Sequence, residues 1–201
     1  MPRVKPYQPF LLRVLHGLNA VGTIAALVTG YLVYDSWDGR FGRLELTTDN
    51  RALIDIHGTF AFVLFFVFIG FAIYSVKAGR SRLFRSDSWQ HLSQVGKPIW
   101  WLALQRIANT TMLLAVGLSV VSGKFQSEEW LPQGELNHLW YFVHLGAWVL
   151  VVLAILLHVL LGAKVGGVPL LLSMLETRYR PEESPALWKN QVLAWLRHPR
   201  W

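Results

Sequence analysis

Residues 141–162 read YFVHLGAWVLVVLAILLHVLLG, an apolar run that nonetheless contains two histidines, His144 and His158. A membrane-spanning helix needs about 20 apolar residues, and ionisable side chains within such helices usually mark functional positions. The fourteen-residue gap between the histidines is close to four turns at about 3.6 residues per turn. Both rings should therefore leave the helix on nearly one face, about 21 Å apart along its axis.

The composition of the whole chain is that of an integral membrane protein. Of its 201 residues, 53% are hydrophobic and 15% are charged, whereas soluble domains usually have about 25% charged residues. Four apolar runs are long enough to cross a bilayer, and they cover residues 10–34, 53–76, 99–121 and 139–163. We predict an all-α fold, with an integral membrane four-helix bundle in residues 1–165. A basic amphipathic C-terminal extension follows in residues 166–201.

The net charge of +7 is best explained by membrane topology rather than by nucleic-acid binding. Of the 19 Lys and Arg, 14 lie before or just inside the first run, between the second and third runs, or after the fourth, and only four lie in the other two connections. Basic residues are retained on the cytoplasmic side of a membrane. The pattern predicts cytoplasmic N- and C-termini, in a bacterial inner membrane or a thylakoid membrane.

Four of the seven histidines lie inside the predicted spans: His16, His57, His144 and His158. Because successive spans run in opposite directions, the rise of about 1.5 Å per residue puts His57 and His144 near the outer surface. The same rise puts His16 and His158 near the inner surface. The remaining histidines lie in loops, at a span edge or in the tail, where a solvated surface is expected: His91, His138 and His198.

Paired neutral imidazoles are suitable ligands for haem. Two of them hold the iron without an open coordination position, which favours electron transfer over oxygen chemistry. The chain has no cysteine, which excludes disulfides, cysteine-ligated iron–sulfur clusters and the attachment of c-type haem. We predict two haem b groups, one for each pair of histidines. The alternative is a haem-free protein whose histidines bond neighbouring helices or relay protons.

Three stretches resemble the prokaryotic cytochrome b561 family of four-helix di-haem cytochromes b, which includes the cytochrome b subunits of nickel–iron hydrogenase and formate dehydrogenase. They read LLRVLHGLNAVGTIAALVTGYLVY, ALIDIHGTFAFVLFFVFIGFAIY and HLWYFVHLGAWVLVVLAILLHVLLG. The resemblance covers residues 8–165. It implies the ligand pairs His16–His158 and His57–His144, and electron exchange with a quinone near one haem.

The third span has no histidine but contains two strongly polar residues, Arg106 and Asn109, in its cytoplasmic half. Arg106 is expected either to pair with a haem propionate or to reach the membrane interface. Asn109 is expected either to bind a quinone carbonyl beside the inner haem or to bond a neighbouring helix. Asp55, near the outer edge of the second span, is a candidate for proton relay or for stabilising the start of that helix.

Residues 184–201 of the extension, SPALWKNQVLAWLRHPRW, have the pattern of an amphipathic helix. Ser184 suits the N-cap and Pro185 the first helical position. The apolar side of this helix is predicted to contain Leu187, Val192, Trp195 and Leu196. Such a helix either lies on the inner membrane surface or docks a soluble partner.

Three functions remain open from the sequence. The chain is either a membrane subunit that links a redox partner to a quinone pool, or a stand-alone quinone oxidoreductase acting on a small molecule such as superoxide, or a haem-free structural or transport protein. The expected partners are membrane lipid, a quinone and a soluble redox subunit on either face. No Rossmann or phosphate-loop motif is present, so binding of a nicotinamide or a flavin is not expected.

Overall fold

The computed structural model describes residues 7–46 and 50–197, and within these ranges the chain is helical with no strand. The α-helices, in chain order, are α1 (Phe10–Trp37), α2 (Arg51–Lys77), α3 (Ser86–Leu92), α4 (Pro98–Lys124), α5 (Trp130–Gln133), α6 (Leu139–Ser173) and α7 (Pro185–Arg197). In the described part, α1, α2, α4 and α6 are the helices that are long and apolar enough to cross a membrane. The predicted all-α, four-helix membrane fold is confirmed.

The ends of the long helices follow local sequence signals. The Asn50 side chain accepts a hydrogen bond from the Ala52 backbone NH at 2.9 Å and caps α2, so Asn50 rather than Asp55 supplies that cap. Helix α6 continues past the predicted end at residue 163 and bends at Gly167, where φ is 68° and ψ is −174°. Glycine adopts this conformation at little cost, and Pro169 lies just beyond the bend.

The four long helices form two hairpins, α1 with α2 and α4 with α6, and contacts between the hairpins are much sparser than contacts within them. Buried alanines on α4 and α6, such as Ala103 and Ala147, let the backbones of that hairpin approach closely, as small residues do in membrane proteins. Leu64, Val116 and Val151 belong to an apolar cluster between the hairpins. The space that remains between the hairpins is where the paired histidines meet.

The segment before α7 folds back onto the start of α1. The Glu183 carboxylate accepts hydrogen bonds from the Tyr7 hydroxyl and, at 3.0 Å, from the Phe10 backbone NH. The Tyr7 hydroxyl and the Phe10 NH lower the pKa of Glu183. Arg13 donates to the backbone carbonyls of Glu176 and, at 2.6 Å, of Arg178. The chain after α6 is thereby fastened to the end of α1 that precedes His16.

Helix α7 begins at Pro185, as predicted. The Leu187 side chain is exposed, as expected for a residue on the surface of this helix. The side chains of Val192, Trp195 and Leu196, and the whole of His198, lie outside the described residues.

Candidate functional site

The four histidines inside the membrane spans form two pairs across the gap between the hairpins. The ring centroids of His16 on α1 and His158 on α6 lie 6.1 Å apart, and those of His57 on α2 and His144 on α6 also lie 6.1 Å apart. A metal–imidazole bond is about 2 Å long and the bonded nitrogen is about 1 Å from its ring centroid, so two rings on one metal ion lie about 6 Å apart. Each pair has the spacing that a single iron between its rings requires.

The ring of His57 is oriented by a hydroxyl on the neighbouring helix. Thr29 Oγ1 donates to the Ala25 carbonyl at 2.7 Å and lies 3.1 Å from His57 Nδ1. Because the hydroxyl has one hydrogen and donates it to the carbonyl, its oxygen acts as the acceptor for the ring. The hydrogen of His57 is therefore on Nδ1, and Nε2 is left free to bind a metal, as is usual for histidine ligands.

His144 is oriented in the same way from α4. Ser122 Oγ donates to the Leu118 carbonyl at 2.7 Å and lies 3.0 Å from His144 Nδ1. The serine oxygen again accepts from the ring, and Nε2 of His144 is left free. Both rings of the His57–His144 pair, which we call the outer pair after the level predicted from the sequence, thus have a fixed tautomer, and both acceptors are hydroxyls that are themselves bonded to their own helix.

The His16–His158 pair, which we call the inner pair after its predicted level, is held differently. His158 Nδ1 lies 2.8 Å from Asn109 Oδ1, and Asn109 Nδ2 donates to the Arg82 carbonyl at 2.9 Å. Because the donation to Arg82 fixes which end of the amide faces His158, Oδ1 accepts from the ring. The His16 ring packs edge-on against Phe71, with centroids 6.1 Å apart, and it has no hydrogen bond from the described residues.

Two glycines allow the rings of the outer pair to lie directly against helix backbone. A Cβ atom added to Gly30 would lie 3.0 Å from His57 Cε1, and one added to Gly123 would lie 3.2 Å from His144 Cε1. Both distances are shorter than ordinary van der Waals contact. A side chain at either position would displace a ring of the outer pair.

Arg13 lies one turn before His16, and Arg106 lies one turn before Asn109, the hydrogen-bond partner of His158. Arg106 Nη1 is 3.4 Å from Asp87 Oδ1, while its buried Nε has no hydrogen-bond partner among the described residues. Arg13, three residues before His16, is only 5% exposed, and its Nε also has no partner in the described part of the chain. In the sequence, Arg13 contributed only to the count of basic residues that predicts topology. Its position one turn before His16 could have indicated a role at the inner site.

Two other ionisable candidates, His138 and Asp55, make no hydrogen bond to either pair in the described part of the chain. His138 stacks on Trp130, with centroids 3.8 Å apart, and its Nε2 is 3.5 Å from a Glu135 carboxylate oxygen. Asp55 is exposed, and its role in proton relay remains a prediction. Among the residues that the structure describes, no group of three or more His, Cys, Asp or Glu could hold a further metal ion.

A membrane bundle of four helices with facing histidines between them is the architecture of a membrane cytochrome b. The sequence model of the family Prokaryotic cytochrome b561 matches residues 7–177. The chain belongs to this family. No curated protein and no solved structure was found to match it. Family membership and the four apolar helices identify an integral membrane protein that binds b-type haem and transfers electrons across the membrane.

Proposed function

We propose that the chain binds two haem b groups, one between His57 and His144 and one between His16 and His158, and connects a quinone pool with a redox partner. The observation that supports this proposal most strongly is the equal 6.1 Å spacing of the two histidine pairs. A haem with two imidazole ligands supplies reversible one-electron transfer without an open position for oxygen. The levels of His144 and His158 are about 21 Å apart along α6.

Apolar side chains between the two histidine levels keep water away from the path of the electrons. Leu64, Val116 and Val151 are at most 5% exposed and belong to one apolar cluster. A dry interior strengthens the electrostatic influence of nearby groups. The fixed rings of His57, His144 and His158 keep the ligand nitrogens in place while electrons pass.

We further propose that the inner site faces the cytoplasm. Support comes from the 14 basic residues in the terminal segments, the start of the first span and the middle connection, against four in the other connections. In this orientation, α6 runs from the outer surface to the inner surface. The membrane would be a bacterial inner membrane or a thylakoid membrane.

A quinone near the inner site is proposed from the family resemblance and from two side chains. The buried Nε of Arg106 is free to donate, which suits a haem propionate or another anionic oxygen. Asn109 uses its amide for His158 and for the Arg82 carbonyl. These bonds favour Asn109 as a positioning residue for His158, and a direct bond to a quinone carbonyl would require one of them to break.

Ligand substitutions test this function. His144→Ala should remove the outer haem and His158→Ala the inner haem, so each purified variant should have about half the haem of the unchanged protein. His138→Ala is the matched control, because His138 stacks on Trp130 outside both pairs and its loss should leave the haem content unchanged. If neither ligand variant loses haem, the assignment of the pairs is wrong.

A further inference from the structure

A cavity of about 780 Å³ lies on the connection between α2 and α4, and none of the four paired histidines lines it. It is lined by Arg80, Ser81, Phe84, Arg85, Ser86 and Trp89. The lining combines two chemical features. The arginines and serines offer donors to an anion, and the aromatic rings offer an apolar edge.

The cavity has an excess of positive charge. Arg80 is exposed and forms no ion pair with the described residues. Arg85 is half exposed and lies 3.8 Å from Asp87. The same Asp87 carboxylate is shared with Arg106 at 3.4 Å. One carboxylate is therefore shared between two guanidinium groups, and Arg80, which has no carboxylate partner among the described residues, is available to a ligand.

The wall of the cavity is fixed by contacts with α4. The Phe84 backbone NH donates to Thr110 Oγ1 at 2.8 Å, and Asn109 Nδ2 donates to the Arg82 carbonyl at 2.9 Å. The Phe84 and Trp89 rings meet edge to face, with centroids 5.1 Å apart. The cavity is thus formed before any ligand arrives, which lowers the entropic cost of binding.

The cavity also lies where lipid headgroups are found. It belongs to a short connection between two membrane-spanning helices, and Trp89 is 68% exposed. Exposed tryptophans at the ends of membrane helices favour the headgroup level. Guanidinium groups bind phosphate oxygens through paired hydrogen bonds, and basic pockets at the ends of membrane helices bind anionic headgroups.

We propose that this cavity is a binding site for the phosphate of an anionic phospholipid. Arg80 and Arg85 hold the phosphate oxygens, and Trp89 covers the adjoining part of the lipid. Free inorganic phosphate shares the anionic oxygens, but it would make no use of the exposed aromatic edge. This site is independent of the number of haems that the chain binds.

Lipid titration of the haem-loaded, full-length protein in detergent tests the proposal, with bound lipid counted by native mass spectrometry. Phosphatidylglycerol should bind more tightly than phosphatidylcholine. Arg80→Gln and Arg85→Gln should each weaken phosphatidylglycerol binding about fivefold, since a basic side chain near a lipid surface contributes about 1 kcal/mol. Lys97→Gln removes the same charge from the same connection but does not line the cavity, and it should leave the affinity unchanged.

Three results would overturn the proposal. The first is that the Arg80→Gln and Arg85→Gln variants bind phosphatidylglycerol as tightly as the unchanged protein. The second is that phosphatidylcholine binds as tightly as phosphatidylglycerol. Displacement of phosphatidylglycerol by an equal concentration of inorganic phosphate would identify free phosphate as the ligand instead. Because Arg80 is exposed and forms no ion pair with the described residues, its substitution should not disturb folding. An unchanged haem spectrum checks this.

Discussion

His158 Nδ1 lies 2.8 Å from Asn109 Oδ1, so a helix without any membrane-embedded histidine orients a proposed ligand of the inner site. The Arg82 carbonyl holds the other end of the Asn109 amide at 2.9 Å. Partners of this kind fix the tautomer of a ligand histidine and make its bonding nitrogen more basic. Helix α4 therefore contributes to both sites through polar side chains, Asn109 at the inner level and Ser122 at the outer level.

Asn109→Leu should raise the reduction potential of the inner haem. Without the acceptor, the His158 nitrogen becomes less basic and stabilises oxidised iron less. Loss of such a partner commonly changes metal affinity 10- to 100-fold, and a tenfold difference between redox states is about 59 mV for one electron. A redox titration followed in the visible spectrum should show a rise of tens of millivolts, with the outer haem unchanged as the internal control. An unmoved potential combined with a raised KM for quinone would instead support the quinone role of Asn109.

Thr29→Val and Ser122→Ala should each raise the potential of the outer haem for the same reason, because each removes the acceptor from a proposed ligand ring. The expected shift is again roughly tens of millivolts. Thr59→Val is the matched control, since the Thr59 hydroxyl donates only to the Asp55 carbonyl at 2.8 Å. If Thr59→Val shifted the reduction potential as much as Thr29→Val, the shift would not come from the loss of the hydrogen-bond acceptor of the ligand ring.

Gly30→Ala and Gly123→Ala should lower the occupancy of the outer haem while leaving the inner haem in place. The added Cβ would lie 3.0 Å or 3.2 Å from a ligand ring, and overpacking of this kind costs about 1–3 kcal/mol. Gly58→Ala is the control, because no neighbouring heavy atom lies within 4 Å of its added Cβ. Haem content and thermal stability, measured together, would distinguish loss of the outer haem from a general loss of stability. Normal outer-haem occupancy in both Gly30→Ala and Gly123→Ala would contradict the close approach.

Glu183→Gln should loosen the segment before α7. The Tyr7 hydroxyl lowers the pKa of Glu183 from its ordinary value of 4.5, so the ionised carboxylate stabilises docking at neutral pH. This stabilisation is lost as the pH falls below 4.5, the ordinary pKa of the group, and then through the lowered pKa of Glu183 in the folded protein. Trypsin cleavage after Arg178 at pH 7 should become several-fold faster in the variant. Glu176→Gln should behave like the unchanged protein, because its side chain makes only a weak contact at 3.5 Å with the Arg178 backbone NH.

The two levels at which the histidines meet could be predicted from sequence because the rise of a helix is constant, and direction alternates from span to span. The partners of the rings could not be predicted in the same way. Thr29 and Ser122 both bond to their own helix, which is common for hydroxyl residues in membrane helices. Only the rotation of the helices shows that the same oxygens also face His57 and His144.

The membrane helices could be predicted from the sequence more readily than the contacts of the terminal segments. Four apolar runs and their connections were enough to predict the membrane bundle, which is confirmed. The contacts of Glu183 with Tyr7 and Phe10 join segments far apart in the chain. Neither helical periodicity nor charge counts carry information about such a contact. The burial of Arg13 depends on the same folded-back segment and was missed for the same reason.

We propose that the chain holds two haems, one at each level of paired histidines. A reduced-minus-oxidised spectrum of the purified protein, calibrated for haem and combined with a protein determination, gives the number of haems per chain. We expect a b-type spectrum and a ratio close to two haems per chain. A ratio close to one, or a spectrum without a b-type band, would contradict it.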